Sequence, residues 1–367
     1  MLKQLRLTNF NQIFEINEKL DMQNGMLINK KVLLQMLLVI LSIMICGCNA
    51  SLVDISSPDN NLLVQIKSGS DKQLYLDVKY KSSIKLNTTP IDIKINDINW
   101  GNNISVLDSI NRGTVDYEYK WRGVHSKAHN NYNFITIPVL QNQTNTTFSI
   151  EVRVFNDGLA YRLILPGQGN RRVAFETIGW EISNESVVWF HSDTKDYEDP
   201  IFSQKVVEIP QNTKMVLPVV TENPNNTGYI AFTEGALFNY SGHVYKSVSG
   251  GLFVADFEDD SGGWVMHDTI TTPWRIAIIS QDLNGLVNSD IIHNLCPAPS
   301  PDLADAQWIK PGRSVWSWWS SGTGDWNQQK EFIDKGSKLG FEYNLIDELW
   351  ENWQDKKRDK WTILKEL

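Results

Sequence analysis

Two adjacent acids directly follow a predicted strand near the end of the sequence. Asp347 and Glu348 end the β-rich run Phe341–Glu348, and Trp350 follows two residues later. Barrels of parallel strands build their sites at the C-terminal ends of those strands. Asp347 is therefore a candidate contact for a substrate. The competing interpretation is an acidic loop that caps the next helix.

Tryptophan is concentrated in the same region, because eight of the fourteen tryptophans fall between Trp308 and Trp361. Flat aromatic faces suit the apolar C–H face of a pyranose, but large rings also fill cores and domain interfaces. In a strand over 314–319, Trp316 and Trp318 share one face and Trp319 takes the other. We expect most of these rings to pack in a core, and Trp318 and Trp350 to contact substrate.

Several other chemistries are poorly supported. The net charge of −9 argues against nucleic acid as a partner. His125 and His129 are four residues apart, but the surrounding sequence is typical of a loop, so they predict no metal motif. Gly322 and Gly324 begin like a dinucleotide fingerprint, yet Asn327 occupies the place of the third glycine. A single cysteine beyond the N-terminal segment provides no disulfide framework.

The first 50 residues are predicted to be an N-terminal extension and a lipoprotein signal peptide. A basic Lys30-Lys31 pair precedes the apolar run 32–45, which is shorter than the ~20 residues of a spanning helix. Gly47-Cys48 resembles a lipobox, so Cys48 is the candidate lipidation site and the predicted location is a bacterial envelope membrane. A transmembrane anchor or an uncleaved signal remains the alternative.

The predicted secondary structure of the remaining sequence changes near residue 297. Short alternating apolar and polar runs with Asn, Gly and Asp turns predict antiparallel sheets over 51–296. Residues 297–311, which contain Pro297, Pro299 and Pro301 among small and acidic neighbours, predict an extended linker. From 312 to 367 a strand, an amphipathic helix over 328–339 and a second strand predict a parallel unit. These patterns predict a mainly β fold class, with a large antiparallel two-sheet sandwich followed by a parallel strand–helix–strand unit.

Several motifs occur in an order that resembles glycoside hydrolase family 97. They are Asn156–Arg162, Glu234–Tyr240, Thr272–Arg275, Asn294–Leu295 and Trp308–Gly312. The resemblance implies a β-super-sandwich followed by a (β/α)8 barrel, with hydrolysis of α-glucosidic or α-galactosidic bonds in oligosaccharides. A complete barrel takes about 250 residues, so the region from Gly312 onward provides only its beginning. We therefore expect the catalytic acid and base beyond Leu367, a truncated barrel and no turnover by this chain alone.

The resemblance also implies a calcium ion in the active site. Glu198, in the acidic stretch 196–200, resembles a family residue whose carboxylate reaches the ion from the sandwich. Calcium prefers six to eight oxygen ligands, which makes such a contribution reasonable, but an acidic turn is the alternative. We expect a monomer. A non-catalytic carbohydrate-binding lipoprotein of the envelope is the alternative function.

Overall fold

A computed structural model describes residues 51–81, 83–195, 200–257, 260, 262–304 and 306–367. The described chain divides into two compact units. The first contains the described residues up to Asp116 together with Asn130–Leu295. The second contains Tyr117–His129 and Cys296–Leu367.

Strands dominate the described residues. The first twelve are β1 (Ser51–Ser56), β2 (Leu62–Ser68), β3 (Leu74–Tyr80), β4 (Ile84–Thr88), β5 (Asp92–Ile95), β6 (Ile98–Asn99), β7 (Ile104–Val106), β8 (Asn111–Lys120), β9 (Lys127–Gln141), β10 (Thr146–Phe155), β11 (Gly158–Leu165) and β12 (Asn170–Thr177). The remainder are β13 (Gly179–Glu181), β14 (Val187–Phe190), β15 (Phe202–Lys205), β16 (Lys214–Met215), β17 (Val219–Glu222), β18 (Tyr229–Gly235), β19 (Val244–Val248), β20 (Leu252–Asp256), β21 (Trp264–His267), β22 (Ile270–Thr271), β23 (Trp274–Ser280), β24 (Ser314–Trp316) and β25 (Tyr343–Leu345).

Helices are short and lie toward the C-terminal side. They are α1 (Leu283–Val287), α2 (Ile291–Leu295), α3 (Pro301–Ala304), α4 (Trp318–Ser321), α5 (Trp326–Lys338) and α6 (Lys360–Glu366). In the part of the chain that the structure describes, 3-10 turns cover Val206–Glu208, Pro224–Asn226 and Trp350–Asn352. Within the described residues, no helix combines the length and the apolar character that a membrane-spanning segment requires.

Large antiparallel sheets form the first unit. An eight-stranded sheet has the order β1-β2-β3-β4-β13-β20-β19-β16, and a four-stranded sheet has the order β21-β12-β5-β6. An eleven-stranded sheet follows β15-β14-β17-β18-β23-β11-β10-β9-β7, with β22 and β8 paired to its strands. The prediction of a mainly β protein with large antiparallel sheets is confirmed.

Alternation along the strands explains these sheets. In β2, Leu62, Val64 and Ile66 are at most 1% exposed, while the residues between them are half-buried. A strand places successive side chains on opposite faces, so this pattern buries one face in the main core. By contrast, every residue of β23 is buried, because this central strand also packs its second face against a smaller core that includes Ile291 and Leu295 of α2.

The second unit contains a parallel pair of strands with a helix between them. Ser314 pairs with Tyr343 and Trp316 with Leu345, in parallel register. Helix α5 begins at Trp326, two residues before the predicted start, because the Asp325 carboxylate accepts a hydrogen bond from the backbone N–H of Gln328 at 2.9 Å. The predicted strand–helix–strand order is therefore present.

Two local predictions were wrong. The strand predicted to reach Trp319 ends at Trp316, since the carbonyl of Ser317 accepts the N–H groups of both Ser320 and Ser321 and closes a helical turn. Alternation consequently does not separate Trp318 from Trp319. The predicted extended linker contains a helix, Pro301–Ala304, and proline suits the first position of a helix because its missing N–H has no partner there.

Candidate functional site

Asp347 follows β25 at the C-terminal end of the parallel pair. Its Oδ2 accepts a hydrogen bond from the indole Nε1 of Trp316 at 2.8 Å, and its Oδ1 accepts one from the backbone N–H of Glu348 at 2.8 Å. These two hydrogen bonds hold both oxygens in place. Asp347 is half-buried, so the residue also keeps contact with solvent. This geometry suits an acceptor for hydroxyl groups.

Two tryptophans that were not selected as substrate contacts pack together: Trp316, which donates to Asp347, and Trp319. The rings of Trp316 and Trp319 have centroids 5.4 Å apart at an angle of 50°. Trp319 is 87% exposed, whereas tryptophan is usually well buried. The signal in the sequence was the pair of adjacent tryptophans after a strand, but it becomes informative only once the chain turns into α4 at Trp318.

A buried polar network lies beneath this arrangement. The side-chain amide of Gln329 donates to Ser317 Oγ at 2.9 Å and to the carbonyl of Thr323 at 2.6 Å, and it accepts from Asn344 at 3.0 Å. Ser317 and Gln329 are fully buried. Because Ser317 precedes α4 and Asn344 lies in β25, the network joins the turn that carries Trp319 to the strand that precedes Asp347.

The loop after Asp347 contains a strained residue. Leu349 has φ of 74°, in the left-handed region that residues other than glycine rarely adopt. Such a conformation costs about 1–3 kcal/mol and is frequent at functional sites. It redirects the chain between Asp347 and the 3-10 turn that begins at Trp350.

The other two predicted substrate contacts are Trp350 and Trp318, and the structure places each of them in its own surroundings. Trp350 packs its ring against Trp361, with centroids 5.5 Å apart, and the ammonium of Lys360 lies 5.9 Å from the Trp350 centroid. Trp318 is half-buried at the start of α4. Substrate contact by either residue stays a prediction.

The predicted calcium ligand and lipidation site, Glu198 and Cys48, lie outside the described residues. Within the described residues, no group of three or more His, Cys, Asp or Glu side chains is arranged to hold a metal ion.

Three of the family-like motifs lie on neighbouring strands of the first unit. In the register of β11, β23 and β18, Arg275 is opposite both Tyr161 and Glu234. The fully buried Arg275 donates from Nε to Glu176 at 3.0 Å and from Nη1 to Glu234 at 2.5 Å. Tyr240 donates its hydroxyl to Glu176 at 2.7 Å. Two carboxylates thus share one buried guanidinium, and we interpret this ion cluster as part of the structural core of the sandwich.

Burial and charge shift the ionisation of this buried cluster. Burial lowers the pKa of His243, against the opposing hydrogen bond from Nδ1 to Glu234 at 3.2 Å, and the neighbouring Arg275 lowers it further. Burial raises the pKa of Glu234, but the hydrogen bond with His243 and the charge of Arg275 together bring it below its ordinary value. Arg275 has a raised pKa because Glu176 and Glu234 outweigh its burial.

These shifts predict acid-sensitive folding. His243 has an ordinary pKa of 6.5 and a lower one in the fold, so below about pH 6.5 the unfolded chain takes up a proton first. The free energy of unfolding should fall by up to ~1.4 kcal/mol per pH unit, until the pH passes the folded pKa. Glu234 adds a loss in the same direction below its ordinary 4.5.

Urea unfolding at a series of pH values tests this expectation. His243→Gln should flatten the dependence just below pH 6.5, while the exposed His267→Gln should leave it unchanged. The groups that face His243 are Glu234, Arg275, Glu176 and the Tyr245 ring. An unaltered slope in His243→Gln would contradict the assignment.

A second arginine cluster lies on the opposite face of the same strands. The Glu151 carboxylate accepts from Arg153 Nε at 3.1 Å and from Arg162 Nε at 2.8 Å. The two guanidiniums lie 4.5 and 4.2 Å from the ring centroid of Trp274, which is fully buried. Motif residues Arg162 and Trp274 therefore stabilise the sheet by stacking.

Comparison with known proteins identifies the first unit. A large antiparallel sandwich followed by a parallel strand–helix–strand unit is the architecture of a multidomain β protein. The family model described as "Glycosyl-hydrolase 97 N-terminal" matches residues 55–297. The chain belongs to glycoside hydrolase family 97, as the resemblance predicted.

Curated relatives and solved structures agree with this family. A retaining alpha-galactosidase of Bacteroides thetaiotaomicron is 27% identical over 81% of this chain and 50% of its own length. A probable retaining alpha-galactosidase of Streptomyces bingchenggensis is 26% identical over 55% of this chain and 31% of its own. The chain therefore spans about half the length of the first relative and about a third of the second.

The solved structures share the fold. A family 97 enzyme of Pseudoalteromonas sp. strain K8, solved in complex with acarbose, has a TM-score of 0.71 at 22% identity, covering 80% of this chain and 47% of that one. A beta-arabinopyranosidase has a TM-score of 0.70 at 22% identity, covering 82% of this chain and 51% of that one.

Proposed function

We propose that this chain supplies the sandwich and the first barrel strands of a glycosidase that hydrolyses α-galactosidic or α-glucosidic bonds in oligosaccharides. The observation that carries the proposal is the family match over residues 55–297. The two alpha-galactosidase relatives favour the galactoside. Asp347 is half-buried after the second parallel strand and accepts a hydrogen bond from Trp316, whose ring lies 5.4 Å from that of Trp319; this combination of a carboxylate and aromatic rings supports a sugar as the ligand.

Catalysis needs more than the described part provides. Glycoside hydrolysis uses two carboxyl groups on either side of the scissile bond. The region from Gly312 to Leu367 contributes two parallel strands, and a complete barrel takes about 250 residues. We propose that the catalytic acid and base belong to later strands, and that residues 1–367 alone have no turnover.

Calcium and the lipid anchor belong to the same proposal. Carboxylates from the remaining barrel would complete the calcium site with Glu198, and hard oxygen ligands suit that ion. Its charge would orient the catalytic groups and stabilise developing negative charge. Cys48, after Gly47 and an apolar run, would carry the lipid that holds the protein at the bacterial envelope.

A chimaera tests the activity. Residues 51–367 replace the matching half of the Bacteroides thetaiotaomicron alpha-galactosidase, so that the later barrel strands are present. The chimaera should release nitrophenol from nitrophenyl α-galactoside or α-glucoside, with loss of activity on chelation. The 367-residue chain alone should release none.

Two outcomes would contradict the proposal. Chelator-sensitive hydrolysis by the chain alone would place the catalytic acids within it, and Glu198, Asp347 and Glu348 would be the first to replace. A folded chimaera that binds sugars without hydrolysing them would instead favour a carbohydrate-binding protein of the envelope.

A further inference from the structure

The hairpin of β8 and β9 ends in a segment whose charge differs from that of the rest of the chain. We define the hairpin tip as Tyr117–His129, which belongs to the second unit. We propose that the hairpin tip docks on an anionic lipid bilayer through its basic side chains and one exposed aliphatic residue. The inference does not depend on the glycosidase activity, and it adds a second membrane contact to the proposed lipid on Cys48.

The charge of the hairpin tip is opposite to that of the protein. The tip contains Lys120, Arg122 and Lys127 but only one acid, Glu118, so its net charge is +2 with neutral histidines. Since the whole chain has a net charge of −9, the remainder carries −11. An anionic surface attracts a basic segment and repels acidic ones. Charge complementarity therefore selects the tip as the part that faces such a surface.

Two cations of the tip lack a counter-ion. Glu118 pairs with Lys127 at 3.1 Å, which accounts for one cation and the acid. Lys120 and Arg122 are exposed and form no ion pair within the part of the chain that the structure describes. These two side chains are therefore available to anionic lipid headgroups.

Apolar atoms at the turn favour a bilayer over other polyanions. Val124 is 74% exposed, and Trp121 is 37% exposed. A Cβ on Gly123 would lie 2.4 Å from Trp121 Nε1, so glycine at this position lets the indole lie across the turn. A nucleic acid or an anionic polysaccharide provides charge without an apolar interior. A bilayer provides both, and it accommodates apolar side chains just below its headgroups.

Aromatic residues of the strand that leads to the turn suit the same partner. Tyr117, Tyr119 and Trp121 occupy alternate positions, with ring centroids 6.0 and 6.2 Å apart. The rings meet at 44° and 81°, so they do not form the flat platform on which successive sugar rings would stack. Tyrosine and tryptophan are enriched where proteins meet the bilayer–water interface. The geometry thus favours a bilayer over an oligosaccharide.

A fluorescent label at the turn tests the contact. The full chain carries Val124→Cys, with every native cysteine replaced by serine, and is mixed with vesicles that contain nitroxide lipids. The label should be quenched in vesicles of phosphatidylcholine with phosphatidylglycerol, and much less in phosphatidylcholine alone. Adding Lys120→Gln and Arg122→Gln should weaken the contact about 25-fold, because each cation near an anionic surface contributes about fivefold.

Two controls separate the tip from the rest of the chain. Val207 is 64% exposed and lies outside the tip, so a label introduced by Val207→Cys should escape quenching. Lys85→Gln with Arg172→Gln removes two exposed cations elsewhere and should leave quenching at position 124 unchanged. The N-terminal segment is the same in every variant, so it cannot cause a difference between them.

The remaining outcomes overturn the proposal. No quenching at position 124 in the anionic vesicles would reject a bilayer contact, and equal quenching at positions 124 and 207 would reject a specific role of the tip. Quenching that survives the loss of Lys120 and Arg122 would reject an anionic surface. Protection of position 124 from aqueous iodide without vesicles would mean that protein already covers the turn. None of these results bears on hydrolysis by the chimaera.

Discussion

Arg275→Met should lower the free energy of unfolding by about 3–5 kcal/mol, because it removes the cation that two buried carboxylates share. The Arg275 side chain is completely buried. Its guanidinium contacts both Glu176 and Glu234, whose side chains are 2% and 12% exposed. After the substitution, Glu176 keeps the Tyr240 hydroxyl and Glu234 keeps His243. Neither partner supplies a full positive charge.

The loss is large relative to the stability of a domain, which is typically about 5–15 kcal/mol. Urea unfolding followed by far-ultraviolet circular dichroism measures it, since the sheets of the first unit dominate that signal. Arg172→Met is the matched control: Arg172 is exposed on β12, and its replacement should change stability by less than ~0.5 kcal/mol. Equal unfolding midpoints for the two variants would contradict a buried ion cluster.

A triple variant makes the test sharper. Adding Glu176→Gln and Glu234→Gln to Arg275→Met removes the buried negative charges together with the cation. Replacing every member of a buried ion cluster is often close to neutral, whereas removing one member is not. The triple variant should therefore recover part of the lost stability. A further loss would indicate that hydrogen bonds, rather than uncompensated charge, dominate at this site.

The sandwich was predictable because its signal is local. Alternation in runs such as Leu74–Tyr80 depends only on neighbours two residues apart, and the structure has β3 over those residues. The parallel unit was also predictable from the order of its elements. Parallel strands need a crossover connection, and a helix between two strands commonly provides it. The end of the strand at Trp316 was not, because a single carbonyl, that of Ser317, decides whether the chain continues extended or turns.

The clusters depend on sheet order, which local patterns do not contain. Glu176 and Arg275 are 99 residues apart in sequence and meet in the core. Their neighbours in sequence indicate strands, but not which strands are adjacent. Trp316 and Asp347 were closer to prediction, since residues at the ends of parallel neighbours share one edge. The hydrogen bond between them additionally required the turn after Trp316.

Trp274→Ala should lower the free energy of unfolding by about 3–5 kcal/mol, the range for removing a buried aromatic ring. Trp274 is fully buried, and the guanidiniums of Arg153 and Arg162 lie 4.5 and 4.2 Å from its ring centroid. Loss of these two contacts adds to the effect of the cavity. Urea unfolding of the purified variant provides the measurement.

Trp319→Ala is the matched comparison, because the same atoms are removed from a ring that is 87% exposed. Its stability should change by less than ~0.5 kcal/mol, and Trp274→Phe should fall between the two alanine variants. Equal losses for Trp274→Ala and Trp319→Ala would contradict the difference in burial. The contrast separates the two tryptophans: burial of Trp274 stabilises the sandwich, whereas the exposed Trp319 ring contributes little to the free energy of unfolding.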